Sequence, residues 1–282
     1  MHRLPTLALR LIARLPLRVL HALGSVLGWA IYGISPTYRR HLRENLAQAG
    51  LDQARVRRAA IASAGKMVLE VPAIWFRRRE AAIELVKRAE GLEAMHAARA
   101  AGKALLFFTP HLGCFEIAAQ YATRYFPITV LYRRPKLAWL DPVMRAGRAS
   151  ERVRLVRADL SGVRRLYSAL KRGEAVGFLP DQVPGSGEGE WADFFGRPAY
   201  TVTLAARLAE REDVACFLAY ARRLPRGAGF EIVVRSLPEK LADETPARRL
   251  NRALEGLVRE CPEQYLWGYN RYKTPSGAKR RK

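Results

Sequence analysis

The pattern of apolar and polar positions changes character near Gly102. Ahead of that point apolar residues recur at helical spacing. Leu9, Ile12, Ala13, Val19, Leu20, Leu23 and Leu27 share one side of an initial helical segment. Residues 37–100 continue as helices, with an apolar-rich stretch from Ile61 to Phe76 and an Ala-, Glu- and Arg-dominated stretch from Ala81 to Ala101. Beyond Gly102 short apolar runs appear at Ala104–Phe108, Ile128–Tyr132, Val153–Val156, Ala175–Leu179, Val214–Ala219 and Phe230–Val234. Helical patterns separate them near Phe115–Arg124, Leu140–Ser150, Gly162–Arg172, Val202–Glu210 and Pro246–Cys261. Such alternation predicts an α/β fold, with a mixed central sheet and helices on both faces, preceded by an N-terminal helical membrane-anchor region. The expected layout is an anchoring helix over 1–36, an α/β catalytic domain over 37–272 and a basic tail over 273–282, closing in Lys279-Arg280-Arg281-Lys282.

Charge sharpens the reading of the N-terminus. Residues 1–43 contain no Asp or Glu, and Arg3, Arg10, Arg14, Arg18 and His21 fall within an arc of roughly 80° at the helical period. Apolar residues lie largely opposite, as in a helix lying in a membrane interface with arginines on lipid phosphates. Pro16 is expected to kink it. Val19–Ile34 lacks Lys and Arg, and Trp29 and Tyr32 offer an aromatic anchor. That stretch is 16 residues long, short of the ~20 that span a bilayer. Two readings stand: an uncleaved anchor, lying or spanning, and a helical hairpin packed on the domain. If the segment spans, the flank Arg39-Arg40-His41-Leu42-Arg43 favours a cytoplasmic body.

Across all 282 residues, 49 Lys and Arg outnumber 26 Asp and Glu, a net charge of +23. An excess of that size speaks of partners: nucleic acid, an anionic membrane or an acidic protein. No helix-turn-helix signature, RNA-recognition aromatic motif or zinc spacing accompanies it, which argues against nucleic acid. Cys114, Cys216 and Cys261 form neither a disulfide framework nor a metal pattern.

Candidate chemistry gathers where strands end, the edge on which open α/β sheets bind ligands. Ala104–Phe108 runs into Thr109-Pro110-His111-Leu112-Gly113-Cys114-Phe115-Glu116, Ile128–Tyr132 into Arg133-Arg134-Pro135, and Ala175–Leu179 into Pro180-Asp181-Gln182-Val183-Pro184. With His111 in the loop and Glu116 in the first helical turn, the carboxylate can accept from one imidazole nitrogen, leaving the other free to take a proton from a substrate hydroxyl. The substrate alcohol then attacks a thioester directly, with no protein nucleophile; Cys114 is expected to be a small apolar residue under the helix start. Arg133, Arg134 and Arg148 offer planar forks for phosphate or carboxylate. Asp181 either orients an arginine, accepts from substrate, or simply forms a turn.

In this order these residues resemble the lipid A biosynthesis acyltransferases, the late lauroyl and myristoyl transferases of the lysophospholipid acyltransferase-like group. The resemblance covers nearly the whole chain: Arg40-His41-Leu42-Arg43-Glu44-Asn45-Leu46, Gly102-Lys103, Thr109-Pro110-His111-Leu112-Gly113 with Glu116, Tyr132-Arg133, Gly147-Arg148, Pro180-Asp181-Gln182, Phe194-Phe195-Gly196, Pro262-Glu263-Gln264-Tyr265-Leu266-Trp267 and Arg271-Tyr272-Lys273. It implies acyl transfer from acyl carrier protein, or less often coenzyme A, to a hydroxyl of an anionic glycolipid, at the cytoplasmic face of the inner membrane, with no cofactor or metal. By position His111 resembles the family's general base, Glu116 its partner, and Arg148 an arginine that stabilises the oxyanion or holds phosphate. Asp181 resembles the acidic residue of the Pro-Asp loop, and Gln182, Arg271 and Lys273 are expected to contact substrate. Cys114-Phe115, Gln182 and Tyr269-Asn270 depart from common family residues. A related enzyme acting on a lysophospholipid or an aminolipid would carry the same residues.

Overall fold

The computed structural model describes residues 3–135 and 137–278. Nine strands alternate with helices among these residues: β1 (Val86–Glu90), β2 (Ala104–Phe108), β3 (Ile128–Tyr132), β4 (Val153–Arg157), β5 (Ala175–Phe178), β6 (Gly189–Phe194), β7 (Arg197–Val202), β8 (Val214–Arg223) and β9 (Phe230–Ser236). Seven of them form one sheet in the order β1-β9-β8-β2-β5-β3-β4, parallel except for the β8–β9 pair. The mixed sheet expected from the sequence is therefore present, and two separate apolar layers cover it. β2 is wholly buried because it lies between β8 and β5, and its continuous Ala-Leu-Leu-Phe-Phe run suits a strand covered on both faces.

Two features differ from the expected pattern. Val86–Glu90 lies in a stretch read as helical but forms an edge strand, because β9 supplies a parallel partner that outweighs the local Ala, Glu and Arg preference. Residues 189–202 form the separate β6–β7 hairpin, turned at Phe195 and Gly196, both at positive φ. That conformation matches a two-residue turn suited to strand twist.

The N-terminal segment breaks at Pro16 into helices Arg3–Arg14 and Leu17–Ile34. Leu17–Ile34 packs along the long helix Ala54–Phe76, and both are long and apolar enough to cross a membrane by length and composition. Both earlier readings find a counterpart, since one side of Leu17–Ile34 is a packed hairpin while Val19, Leu23, Val26, Trp29 and Ile34 remain exposed on it. The crossing is close because the facing residues are Gly24, Gly28 and Gly65; a Cβ on Gly65 would fall inside contact distance of the Gly24 carbonyl oxygen and the Gly28 nitrogen. Residues Lys279–Lys282 of the expected basic tail lie outside the described residues.

At this crossing Gly65→Ala forces the backbones apart and lowers stability by about 1–3 kcal/mol. Gly33→Ala, on the same helical hairpin with nothing within 4 Å, is neutral or stabilising by helix propensity. Thermal melts of the two variants check the contrast.

Candidate active site

Strand register sets the site. Phe108 of β2 pairs with Phe178 of β5 in a parallel ladder, so chains leaving the two strands reach His111 and Asp181 side by side. Asp181 is buried and accepts twice from His111: Oδ1 from the ring Nδ1 at 2.9 Å and Oδ2 from the backbone N–H at 2.9 Å. Burial alone would raise the Asp181 pKa, but His111 and the backbone donors outweigh it and hold the carboxyl below its ordinary value. With Asp181 ionised, Nδ1 carries the proton and Nε2 presents a lone pair. The Gln182 amide nitrogen stands 3.2 Å from Nε2.

The loop carrying His111 is tied down on three sides. Leu266 N–H donates to the His111 carbonyl, Gly113 N–H to the Gln264 carbonyl, and Cys114 N–H to Ala221 on β8. Gly113 has φ of 62° and sits so close to the Ala221 carbonyl that no side chain fits there. The Phe115 ring lies against the imidazole, with centroids 4.7 Å apart. Burial, and secondarily the Asp181 carboxylate, push the Tyr265 phenol well above its usual pKa, so a neutral hydroxyl backs the pair.

The expected contact from Glu116 to His111 is replaced by another. Glu116 Oε2 accepts from Trp75 Nε1 at 2.9 Å and from Arg148 Nε at 2.8 Å, and Oε1 accepts from Arg148 Nη2. The helix starting at Phe115 turns this carboxylate toward the helices of Trp75 and Arg148, while the β5 loop reaches the imidazole first. Burial disfavours the Arg148 cation, but Glu116 outweighs it and raises the pKa. Gly147 makes room for this arrangement, since a Cβ there would lie 2.5 Å from the Trp75 side chain.

His111, Glu116, Arg133, Arg148 and Gln182 line one cavity of about 820 Å³, with Asp181 behind His111. Much of its lining is apolar, including Val130, Met144, Leu155, Val163 and Tyr167. Its size is within the ~300–1,000 Å³ of small-molecule sites, and each methylene buried in it stabilises a ligand by about 0.8 kcal/mol. Arg133 is exposed at the cavity and pairs with Glu188 at 3.0 Å. Three residues expected to contact substrate lie outside this cavity. Arg271 is buried behind the site, donating to the Tyr200 carbonyl, Thr201 Oγ1 and Asn251 Oδ1, because the β7 backbone and the Pro246–Glu260 helix leave acceptors there. Arg134 lies 4.0 Å from Asp141. Lys273 stands over the Tyr269 ring. Neither Arg134 nor Lys273 lines the cavity.

Trp75, Tyr265 and Arg207, another cavity residue, went unassigned in the sequence reading. Trp75 ends a helix far from the motif in sequence, so its only signal was the glycine of Gly147-Arg148 that accommodates it. Cys114 is buried, and burial raises its thiol pKa well above the ordinary value, leaving it a packing residue.

A parallel-sheet edge bearing a carboxylate-held histidine over an apolar cavity has the makings of a group-transfer site for a lipophilic substrate. Residues 4–274 match the bacterial lipid A biosynthesis acyltransferase family, and the chain belongs to that family. It is similar to the lipid A biosynthesis lauroyltransferase of Escherichia coli K12, 26% identical over 95% of this chain and 90% of that one. It is also similar to the palmitoleoyltransferase of the same organism, 27% identical over 93% and 87% of the two chains. A lipid A biosynthesis acyltransferase of Haemophilus influenzae is 27% identical over 72% of this chain and 66% of its own length. The protein is an acyltransferase.

The two carboxylates separate by experiment. Asp181→Asn lowers kcat by on the order of 10²–10⁴ through loss of the productive tautomer, with the fold retained. Glu116→Gln leaves Arg148 without its counter-charge, so it lowers stability by about 3–5 kcal/mol as well as lowering kcat. Paired kinetics and thermal melts distinguish these outcomes, and equal behaviour of the two variants contradicts the assignment.

Proposed function

We propose that the chain transfers a fatty acyl group from an acyl-carrier-protein thioester to a hydroxyl of a lipid A precursor. The observation that carries this reading is the His111–Asp181 pair at an apolar cavity also lined by Arg133 and Arg148. The acceptor oxygen attacks the thioester carbonyl as His111 Nε2 takes its proton, displacing the Gln182 amide from that nitrogen. Asp181 stabilises the imidazolium. Collapse of the tetrahedral intermediate forms the ester and breaks the carbon–sulfur bond, and the imidazolium returns the proton to the leaving thiolate. In this reading Arg148, held by Glu116 and lining the same cavity as His111, stabilises the negative charge that develops on the carbonyl oxygen. Glu116 therefore joins the catalytic machinery through Arg148 rather than through His111. The reaction as drawn uses no resident cofactor or metal; the thioester is a substrate, and a coenzyme A donor would enter by the same steps.

The charge distribution supports the proposed partners. A net charge of +23 favours an acidic carrier protein and a phosphorylated lipid by steering and by phosphate contact. In our reading Leu17–Ile34 lies in the cytoplasmic leaflet of the inner membrane, one side on the protein and the exposed apolar side in lipid. Residues 1–36 then anchor, 37–272 carry the chemistry, and 273–282 form a basic end.

Mass spectrometry of lipid A from cells with and without this gene tests the proposal, with complementation by wild type or His111→Ala. Deletion is expected to remove one acyl mass, restored only by wild type. Unchanged lipid A overturns the acceptor, and a missing acyl group in the phospholipid or aminolipid fraction would then identify the replacement. Restoration by His111→Ala overturns the mechanism.

A further inference from the structure

A second cavity, of about 450 Å³, lies on the N-terminal helices and shares no residue with the first. Three segments meet there: Leu17–Ile34 contributes Arg18, Ala54–Phe76 contributes Lys66, and the β8–β9 turn contributes Arg226. The turn is seated on the helix, since a Cβ on Gly227 would lie 2.6 Å from the Arg18 Cα. Among the described residues Arg18, Lys66 and Arg226 make no hydrogen bond or ion pair, although acids elsewhere pair widely with arginines. Glu263 is the one carboxylate that lines the cavity, and its Oε1 faces the Cys261 thiol.

The cavity also has a built floor. Arg223 is buried and spends its guanidinium on Glu70, Ser63 Oγ and the Gly113 carbonyl. His21, also lining the cavity, donates to the same Glu70. Glu70 is thus already hydrogen-bonded to two partners, and although it also attracts Lys66, the cationic groups of the cavity, Arg18, Lys66, Arg223 and Arg226, outnumber the carboxylates Glu70 and Glu263. Like charges held around one concave space are relieved by an anion that accepts from several donors at once, as a phosphate does.

Position selects the source of that phosphate. Arg18, His21, Ala22 and Ser25 face the cavity, while Val19, Leu23 and Val26 occupy the adjoining exposed face of the same helix. A helix with its apolar face among acyl chains brings its neighbouring face to the headgroup layer. We infer that this cavity binds the headgroup phosphate of an anionic membrane lipid, apart from the acyl-transfer site and its acceptor. The inference rests on the membrane placement proposed above, but not on the acyl-transfer chemistry.

Binding of the full-length protein to phosphatidylcholine vesicles, with and without phosphatidylglycerol, provides the test. The wild type is compared with Arg18→Gln/Arg226→Gly and with Arg10→Gln/Arg14→Gln, which removes equal charge from the preceding helix outside the cavity. Glycine suits the left-handed backbone of Arg226, so the turn is retained. Loss of about tenfold in affinity for the phosphatidylglycerol vesicles is expected from the cavity pair, with a smaller loss from the control pair and unchanged binding to neutral vesicles. Equal losses from both pairs overturn the site in favour of diffuse charge. Lys66→Gln gives an independent reading, and an unchanged affinity in that variant also counts against the cavity. Inorganic phosphate binding that is lost in the cavity pair while that pair's affinity for phosphatidylglycerol vesicles is unchanged overturns the lipid assignment in favour of free phosphate. Failure of wild type to bind even neutral vesicles removes the membrane placement while leaving the catalytic reading to its own test.

Discussion

Parallel pairing of β2 with β5 is the constraint from which the site follows. Each residue of β2 has a fixed partner on β5, ending at Phe108 beside Phe178. The next three residues of each chain then leave the same sheet edge together, carrying a histidine on one and an aspartate on the other. A slip of one residue would turn every side chain of the strand to the opposite face, so the buried aliphatic and aromatic residues of β2 also fix the catalytic geometry. Core packing and chemistry are therefore specified by one set of contacts.

A buried ion pair links that edge to the N-terminal helices. Arg223 at the end of β8 donates to Glu70 on Ala54–Phe76 and to the Gly113 carbonyl two residues from His111. Removing one member of such a pair strands the other charge at a cost of about 3–5 kcal/mol. The strand end, the long helix and the catalytic loop are consequently bound as one unit. Close glycine contacts then bring Leu17–Ile34 onto that helix, so the segment proposed to meet lipid packs on the helix that the ion pair ties to the His111 loop.

Local pattern and long-range pairing account for what was legible in the sequence. The runs at 104–108 and 128–132 read as strands with the bounds observed, because each is an uninterrupted apolar run ended by a turn. Val86–Glu90 did not, because its strand state depends on β9, more than a hundred residues away. The same division holds in the site. His111, Glu116, Arg133, Arg148 and Gln182 were assigned from strand ends and family resemblance, and they share a cavity. Which carboxylate holds the imidazole was not legible, since five residues of local spacing favoured Glu116 whereas sheet register delivers Asp181. The surroundings of Arg271 were illegible for a related reason: sequence shows an arginine beside tyrosines but not the buried acceptors it meets.

The catalytic account depends on Asp181 fixing the proton on His111 Nδ1. Nitrogen NMR of ring-labelled histidine, in wild type and Asp181→Asn, measures that directly, with the five histidines resolved by substitution. The account predicts a protonated Nδ1 and an unprotonated Nε2 for His111 at neutral pH, with the preference lost in Asp181→Asn and kept in Glu116→Gln. A protonated Nε2 in the wild type, or a preference that follows Glu116 instead of Asp181, would contradict it.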